Sequence, residues 1–190
     1  MKIVAIAGSP RKNGNSTSLM RLAVEGAQER GATAVVFSAK EMNVAGCLAC
    51  GSCKRAADAV CVQNDDMHAV YAEIRDSDAL LLASPVYFYG LTSWIKQVVD
   101  RCYALMPFEG GPAGEQPVPR IAAGKRLYVI TTQADDSVFY GYQVLSAIAY
   151  GMTWIGMKPA GQLIATSLEE PDDWKGRDDL IADAKALIAV

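Results

Sequence analysis

The chain has 190 residues, about half of them apolar and 21% charged, with a formal net charge of −3. That length and composition suit one compact globular domain with a buried core. There is no basic excess to neutralise phosphates, which argues against nucleic acid as a partner, and no apolar run nears the roughly 20 residues that span a bilayer. The first residues read straight into a strand, without the basic, apolar and small-residue regions of a signal peptide, so the expected setting is the cytoplasm.

In chain order, Lys2 to Ala7 is an apolar run ending at Gly8, as a buried strand would be. Asn15 or Ser16 is placed to cap the next helix, whose Met20, Ala23, Val24 and Ala27 share a face, and Gly31 closes it. Thr33 to Ser38 reads as a second strand. A cysteine-rich segment follows, and Asp65 then caps a helix with Met67, Val70, Tyr71 and Ile74 at helical spacing. Ala79 to Ser84 is a short buried strand stopped by Pro85, and Leu91, Ile95, Val98, Val99 and Cys102 form a third helical stripe. Residues 106–124 are rich in proline and glycine and predict a long loop. Leu127 to Thr132 reads as a fourth strand, Val144, Ile148 and Met152 as a helix, Gln162 to Ala165 as a fifth strand, and Leu180 to Ile188 as the last helix. Alternating strands and helices imply an α/β fold: a doubly wound, five-stranded parallel sheet with helices on both faces. The expected organisation is a single domain over 1–190, with a cysteine-motif insertion at 46–62 and the loop at 106–124.

Two loops carry chemistry. The first strand runs into Gly8-Ser9-Pro10-Arg11-Lys12-Asn13-Gly14-Asn15-Ser16-Thr17 as a helix begins. Ligands of such sheets sit beyond the carboxyl ends of the strands, and a helix N-terminus favours an anion. Ser9, Asn15, Ser16 and Thr17 add hydrogen-bonding groups, Arg11 and Lys12 add charge, and Gly14 allows close approach. The segment matches neither G-x-x-x-x-G-K-[ST] nor G-x-G-x-x-G. A hydroxyl-rich loop of this kind suits a flavin monophosphate better than a triphosphate; an ordinary polar loop before a capped helix is the alternative. The second loop, Ser84-Pro85-Val86-Tyr87-Phe88-Tyr89-Gly90, puts three aromatic residues on the same sheet edge. Aromatic packing plus backbone groups is what an isoalloxazine ring needs; burial of a subunit contact is the competing reading.

The cysteines Cys47, Cys50, Cys53 and Cys61 are spaced C-x2-C-x2-C-x7-C, which lets thiolates turn toward one centre. A [4Fe–4S] cluster takes four thiolates. Zinc is a competitor, although structural zinc sites usually pair two separated C-x2-C units, and thiols without a metal are another. His68 reads as a surface or boundary residue, Cys102 as core, Asp65-Asp66 as a helix cap, and Asp100-Arg101 as a structural ion pair or helix end. No catalytic side chain is assigned, because in a flavoprotein the cofactor carries the redox chemistry.

Together, GSPRKNGNST (8–17), SPVYFYG (84–90) and WIKQVVDR (94–101) resemble the NADPH-dependent FMN reductase family of the flavodoxin-like superfamily. The cysteine motif resembles its iron–sulfur flavoprotein branch. The resemblance implies that Ser9, Arg11, Asn15, Ser16 and Thr17 hold the FMN phosphate, and that Pro85, Val86, Tyr87, Phe88 and Tyr89 border the ring. Thr131 to Gln133 would be a third flavin-contacting loop. It implies an FMN-dependent oxidoreductase that draws on NAD(P)H or a ferredoxin-like donor and serves a small-molecule acceptor, with a [4Fe–4S] relay at the cysteines. A homodimer or homotetramer is expected, since the aromatic loop and the cysteine segment lie where a neighbour could cover them. A flavodoxin-like carrier without turnover is the rival, weakened by the near-neutral charge, and a flavin-free zinc-stabilised module is the third reading.

Overall fold

A computed structural model of the chain describes residues 1–110 and 116–190. Five parallel strands, β1 (Lys2–Ala7), β2 (Thr33–Ser38), β3 (Ala79–Pro85), β4 (Arg126–Thr132) and β5 (Lys158–Ala165), form one sheet in the order β2-β1-β3-β4-β5. This is the doubly wound order of the flavodoxin-like fold, which reverses between β1 and β3. The helices are α1 (Asn15–Glu29), α2 (Met67–Asp76), α3 (Ser93–Arg101), α4 (Val138–Thr153) and α5 (Asp178–Ala186).

The alternation of side chains along each strand divides the core in two. Val4, Ile6, Leu80, Leu82, Leu127 and Val129 face α2, α3 and α4, while Ile3, Ala5, Leu81, Tyr128 and Ile130 face α1 and α5. The central strands β1, β3 and β4 are almost wholly buried, as near-continuous apolar runs require, and the edge strands β2 and β5 are half exposed. Helices α1 and α5 approach closely at Gly26, where an added Cβ would lie 2.3 Å from the Lys185 carbonyl oxygen.

The structure departs from the sequence reading at several boundaries. Strand β5 begins at Lys158, four residues before Gln162, and so includes Pro159 and Gly161. An edge strand tolerates proline, and a bulge opposite Leu127 and Tyr128 absorbs the extra residue. The residue preceding α1 is Gly14, with no side-chain cap, so neither Asn15 nor Ser16 caps it. Asp65 lies two residues before α2, where its carboxylate accepts from the Met67 N–H at the helix start and also from Arg101. Asp100 pairs with Lys96, not with its neighbour Arg101. In the proline- and glycine-rich stretch, Phe108 and Val118 form an antiparallel bridge, and residues 111–115 lie outside the described residues.

Candidate functional site

Three loops meet at the carboxyl edge of the sheet. The Gly8 N–H donates to the Ala83 carbonyl at 2.7 Å, and the Thr92 hydroxyl donates to the Gly8 carbonyl at 2.5 Å. The Val86 N–H donates to Thr132 at 2.8 Å. The β1–α1, β3–α3 and β4–α4 loops are therefore one hydrogen-bonded frame. A fourth segment, after β5, joins it: the Leu168 N–H donates to Gln133 at 2.9 Å, and Asn15 Nδ2 donates to the Glu170 carbonyl at 3.0 Å.

This frame encloses a cavity of about 160 Å³ lined by Ser9, Arg11, Gly14, Asn15, Ser16, Pro85, Val86, Tyr87, Thr132, Gln133, Ala134, Leu168 and Glu169. Because nothing caps α1, its first N–H groups are open to a ligand. Gly14 is required by close approach: a Cβ there would stand 2.5 Å from Ser9 Oγ. The Arg11 N–H donates to that same Ser9 Oγ at 3.1 Å, which fixes the loop's turn.

Three polar atoms of residues lining the cavity are buried with no hydrogen-bond partner: Gln133 Oε1, which lies beside Gly141, and, at the start of α1, Asn15 Oδ1 and Ser16 Oγ. Buried polar groups are normally paired, so such orphans ask for a ligand. The Ser16 hydroxyl is a donor suited to an anion. Asn15 gives one of its two amide N–H groups to Glu170, and its unpaired Oδ1 is an acceptor that suits a hydroxyl better than a phosphate. A flavin monophosphate, with an anionic end and a ribityl chain of hydroxyls, matches both demands.

The sequence-derived site residues separate into groups. Ser9, Arg11, Asn15, Ser16, Pro85, Val86 and Tyr87 line this cavity. Thr17 is buried, but lines a neighbouring cavity of about 280 Å³ on the other side of the loop, with Lys12, Arg21 and Lys40. Phe88 and Tyr89 stand outside. They occupy the two central positions of a two-residue turn closed by hydrogen bonds between Tyr87 and Gly90, with φ of 47° and 60°. Phe88 is fully exposed, and Tyr89 packs on Tyr140 with ring centroids 4.8 Å apart. Of the third loop, Thr132 and Gln133 line the cavity, while Thr131 Oγ1 and Gln133 Oε1 lie beside Gly141 of α4.

The sequence reading missed Leu168 and Glu169. The available signal was Asp173, whose carboxylate accepts from the Glu169 and Glu170 N–H groups at 2.8 Å each and holds that turn.

Cys47, Cys50, Cys53 and Cys61 all line a separate cavity of about 430 Å³, together with Leu48, Val62, Asp100 and Tyr103. All four are free thiols. Burial raises the Cys53 pKa, whereas the Ser52 hydroxyl beside Cys50 lowers that of the exposed Cys50. Among the described residues no three or more His, Cys, Asp or Glu side chains converge as around a single ion. The four thiols share the wall of one cavity without meeting at a common point. Cys102 stays in the core, its thiol pushed up to about 12 by burial and the nearby Asp100.

Residues 1–139 match the NADPH-dependent FMN reductase family. An iron-sulfur flavoprotein of Archaeoglobus fulgidus is 32% identical over 158 residues, 82% of this chain and 66% of that protein. Another, of Methanosarcina thermophila, is 41% identical over 106 residues, 55% of this chain and 54% of that protein. The chain thus spans between about half and two thirds of the length of these curated relatives. An NAD(P)H:quinone oxidoreductase structure from Methanothermobacter marburgensis covers 98% of this chain and 94% of its own, with a TM-score of 0.73 at 18% identity, a likeness of fold alone. No helix among the described residues is long and apolar enough to cross a membrane.

Proposed function

Because this chain belongs to the NADPH-dependent FMN reductase family, we propose that it binds FMN in the cavity between α1, β3 and β4 and works as a flavin-dependent oxidoreductase. The observation that carries this reading is the pair of buried, unpartnered atoms Asn15 Oδ1 and Ser16 Oγ on the wall of that cavity. Bound FMN would supply the redox chemistry, hydride or single-electron transfer at its ring. The chain's own part is to hold and shield it. Ser9, Arg11, Ser16 and the open N–H groups of α1 take the phosphate, and Asn15 accepts from a ribityl hydroxyl. Pro85, Val86 and Tyr87 border the ring, with the backbone of Ala134 on the same cavity wall at its polar edge. The electron donor is NAD(P)H or a ferredoxin-like carrier, and the acceptor is a small molecule. The chain acts as one FMN-binding domain, in the cytoplasm, where its thiols stay reduced.

The cysteine cavity holds a [4Fe–4S] cluster in this proposal, with Cys47, Cys50, Cys53 and Cys61 as ligands. Support comes from the four thiols sharing one cavity and from the iron-sulfur names of the relatives. The protein assembles as a homodimer or homotetramer; Phe88, Tyr89, Phe139, Tyr142, Tyr150 and Trp154 leave an aromatic face exposed that a second copy would cover.

Absorbance and fluorescence titration with FMN, alongside iron and acid-labile sulfide assays after anaerobic purification, test both cofactors. A yellow-brown protein with one FMN and four iron per chain is expected. Protein that arrives colourless and refuses added FMN overturns the main reading; protein with FMN but neither iron nor sulfide removes the cluster alone.

A further inference from the structure

The cysteine segment has almost no backbone ladder of its own. Within 46–62 the backbone hydrogen bonds among the described residues are short local turns: Lys54 to Gly51, Arg55 to Ser52 and Ala59 to Ala56. None reaches the sheet. Side chains do the holding instead: in its middle Arg120 donates to the Ala56 and Ala59 carbonyls and Lys54 to the Met106 carbonyl, and a buried ion pair joins its two ends. Arg101, at the end of α3, makes a bidentate pair with Asp65, Nη1 to Oδ2 at 2.7 Å and Nη2 to Oδ1 at 3.0 Å. The two side chains are 1% and 8% exposed. The same Nη1 donates to the Ala45 carbonyl at 3.0 Å, and the Ala45 N–H donates to Asp65 Oδ2 at 3.3 Å. The pair thereby grips both backbone groups of the residue two before Cys47, from a carboxylate four after Cys61. The Tyr71 hydroxyl donates to the Arg101 carbonyl at 2.8 Å and seats the arginine against α2.

Two charges removed from water cost more than a packed apolar pair of the same volume, so burial of this pair is a poor way to make a core. What the charges do that leucine and methionine could not is bond the N–H and C=O of Ala45. Burial opposes ionisation of Asp65, but Arg101 and the N–H groups of Ala45 and Met67 outweigh it and hold the carboxyl below its usual range.

We propose that Asp65 and Arg101 are a positioning pair for the cysteine site: they close the mouth of the 46–62 segment and so keep Cys47, Cys50, Cys53 and Cys61 on one cavity, ready for a thiolate-bound group. This rests on the reading that the four cysteines act together. Neither residue lines the FMN cavity.

The test compares wild type, Arg101→Lys and the charge-free double variant Asp65→Leu/Arg101→Met, which keeps the core filled. Three quantities are read: FMN affinity, the reaction rate of the thiols with a disulfide reagent in iron-free protein, and iron and sulfide per chain after anaerobic reconstitution. The double variant is expected to keep its FMN dissociation constant within about twofold. Its half-buried thiols, Cys53 and Cys61, should react about tenfold faster, as a segment freed to open locally would, and its iron content should fall below half of wild type. Arg101→Lys should fall between, because an ammonium cannot serve both Asp65 oxygens and Ala45. Wild-type thiol rates and iron in the double variant overturn the proposal. So does a loss of FMN affinity in step with iron, which would mark a general structural role. A wild-type protein that takes up no iron or sulfide removes the cluster reading instead, and the thiol rates then decide the positioning role by themselves.

Discussion

Asn15 gives its amide N–H to the carbonyl of Glu170, 155 residues away, and is left with a buried, unpaired Oδ1. The segment after the last strand thus sets the chemical polarity of a side chain in the first loop. Asn15→Ala removes the acceptor and frees the Glu170 carbonyl. FMN affinity is expected to fall about tenfold, one hydrogen bond's worth, with Asn15→Asp weaker still because its charge opposes the phosphate. Fluorescence titration with FMN measures this; unchanged affinity in both variants would remove Asn15 from the site.

Ser16→Ala should act in opposite directions on free and flavin-bound protein. In the free protein it deletes a buried hydroxyl that has no partner, so stability should hold or rise by up to about 1 kcal/mol. FMN affinity should fall several-fold. Thermal melts with and without FMN check the pair of effects, and a stability loss without flavin would mean the hydroxyl is already satisfied.

Phe88 is fully exposed at φ 47°, so its conformation is strained while its ring packs on little. Phe88→Gly is expected to stabilise the flavin-free protein by about 1 kcal/mol, raising Tm by about 2–4 °C. A fall in Tm would show that the ring contributes a contact worth more than the backbone relief.

The Asp65–Arg101 pair predicts an acid limit. Asp65 has a native pKa below its unfolded value, so the pair contributes fully above about pH 4 and is lost as pH falls through the depressed native value. Asp65→Asn leaves Arg101 buried without a counter-charge and should destabilise by about 3–5 kcal/mol at neutral pH. It should also flatten the decline of stability below pH 4. Urea unfolding across pH 3–7 reads both; a variant with the wild-type acid slope would mean other carboxylates set it.

The sheet was legible because β1, β3 and β4 are buried on both faces and read as apolar runs. The start of β5 was not, since Lys158-Pro159-Ala160-Gly161 carries two strand breakers that only an exposed edge and a bulge accommodate. Ser9, Arg11, Ser16, Pro85 and Tyr87 could be placed from their loops, because position after a strand fixes which edge they reach. Their orientations could not: Thr17 opens to the opposite side of the loop, and Phe88 and Tyr89 turn outward. Asp100-Arg101 reads as a structural ion pair or a helix end: Arg101 does end α3, but residues adjacent on a helix point apart, and its ionic partner is Asp65, 36 positions earlier in the chain. Glu169 had only Asp173, four residues on, to mark its turn; which edge it reaches depends on where β5 ends.

The two ends of the 46–62 segment lie side by side, since Asn43 and Ala45 on one side bond to Asp66 and Asp65 on the other, and its middle rests on the β3–β4 connection through Arg120 and Lys54. A stretch of chain that leaves and returns at one place is interchangeable in a way that a strand is not. A version of this protein with the segment shortened to a tight connection, or replaced by another loop of similar span, is expected to keep the strand order and the cavity at the carboxyl edge.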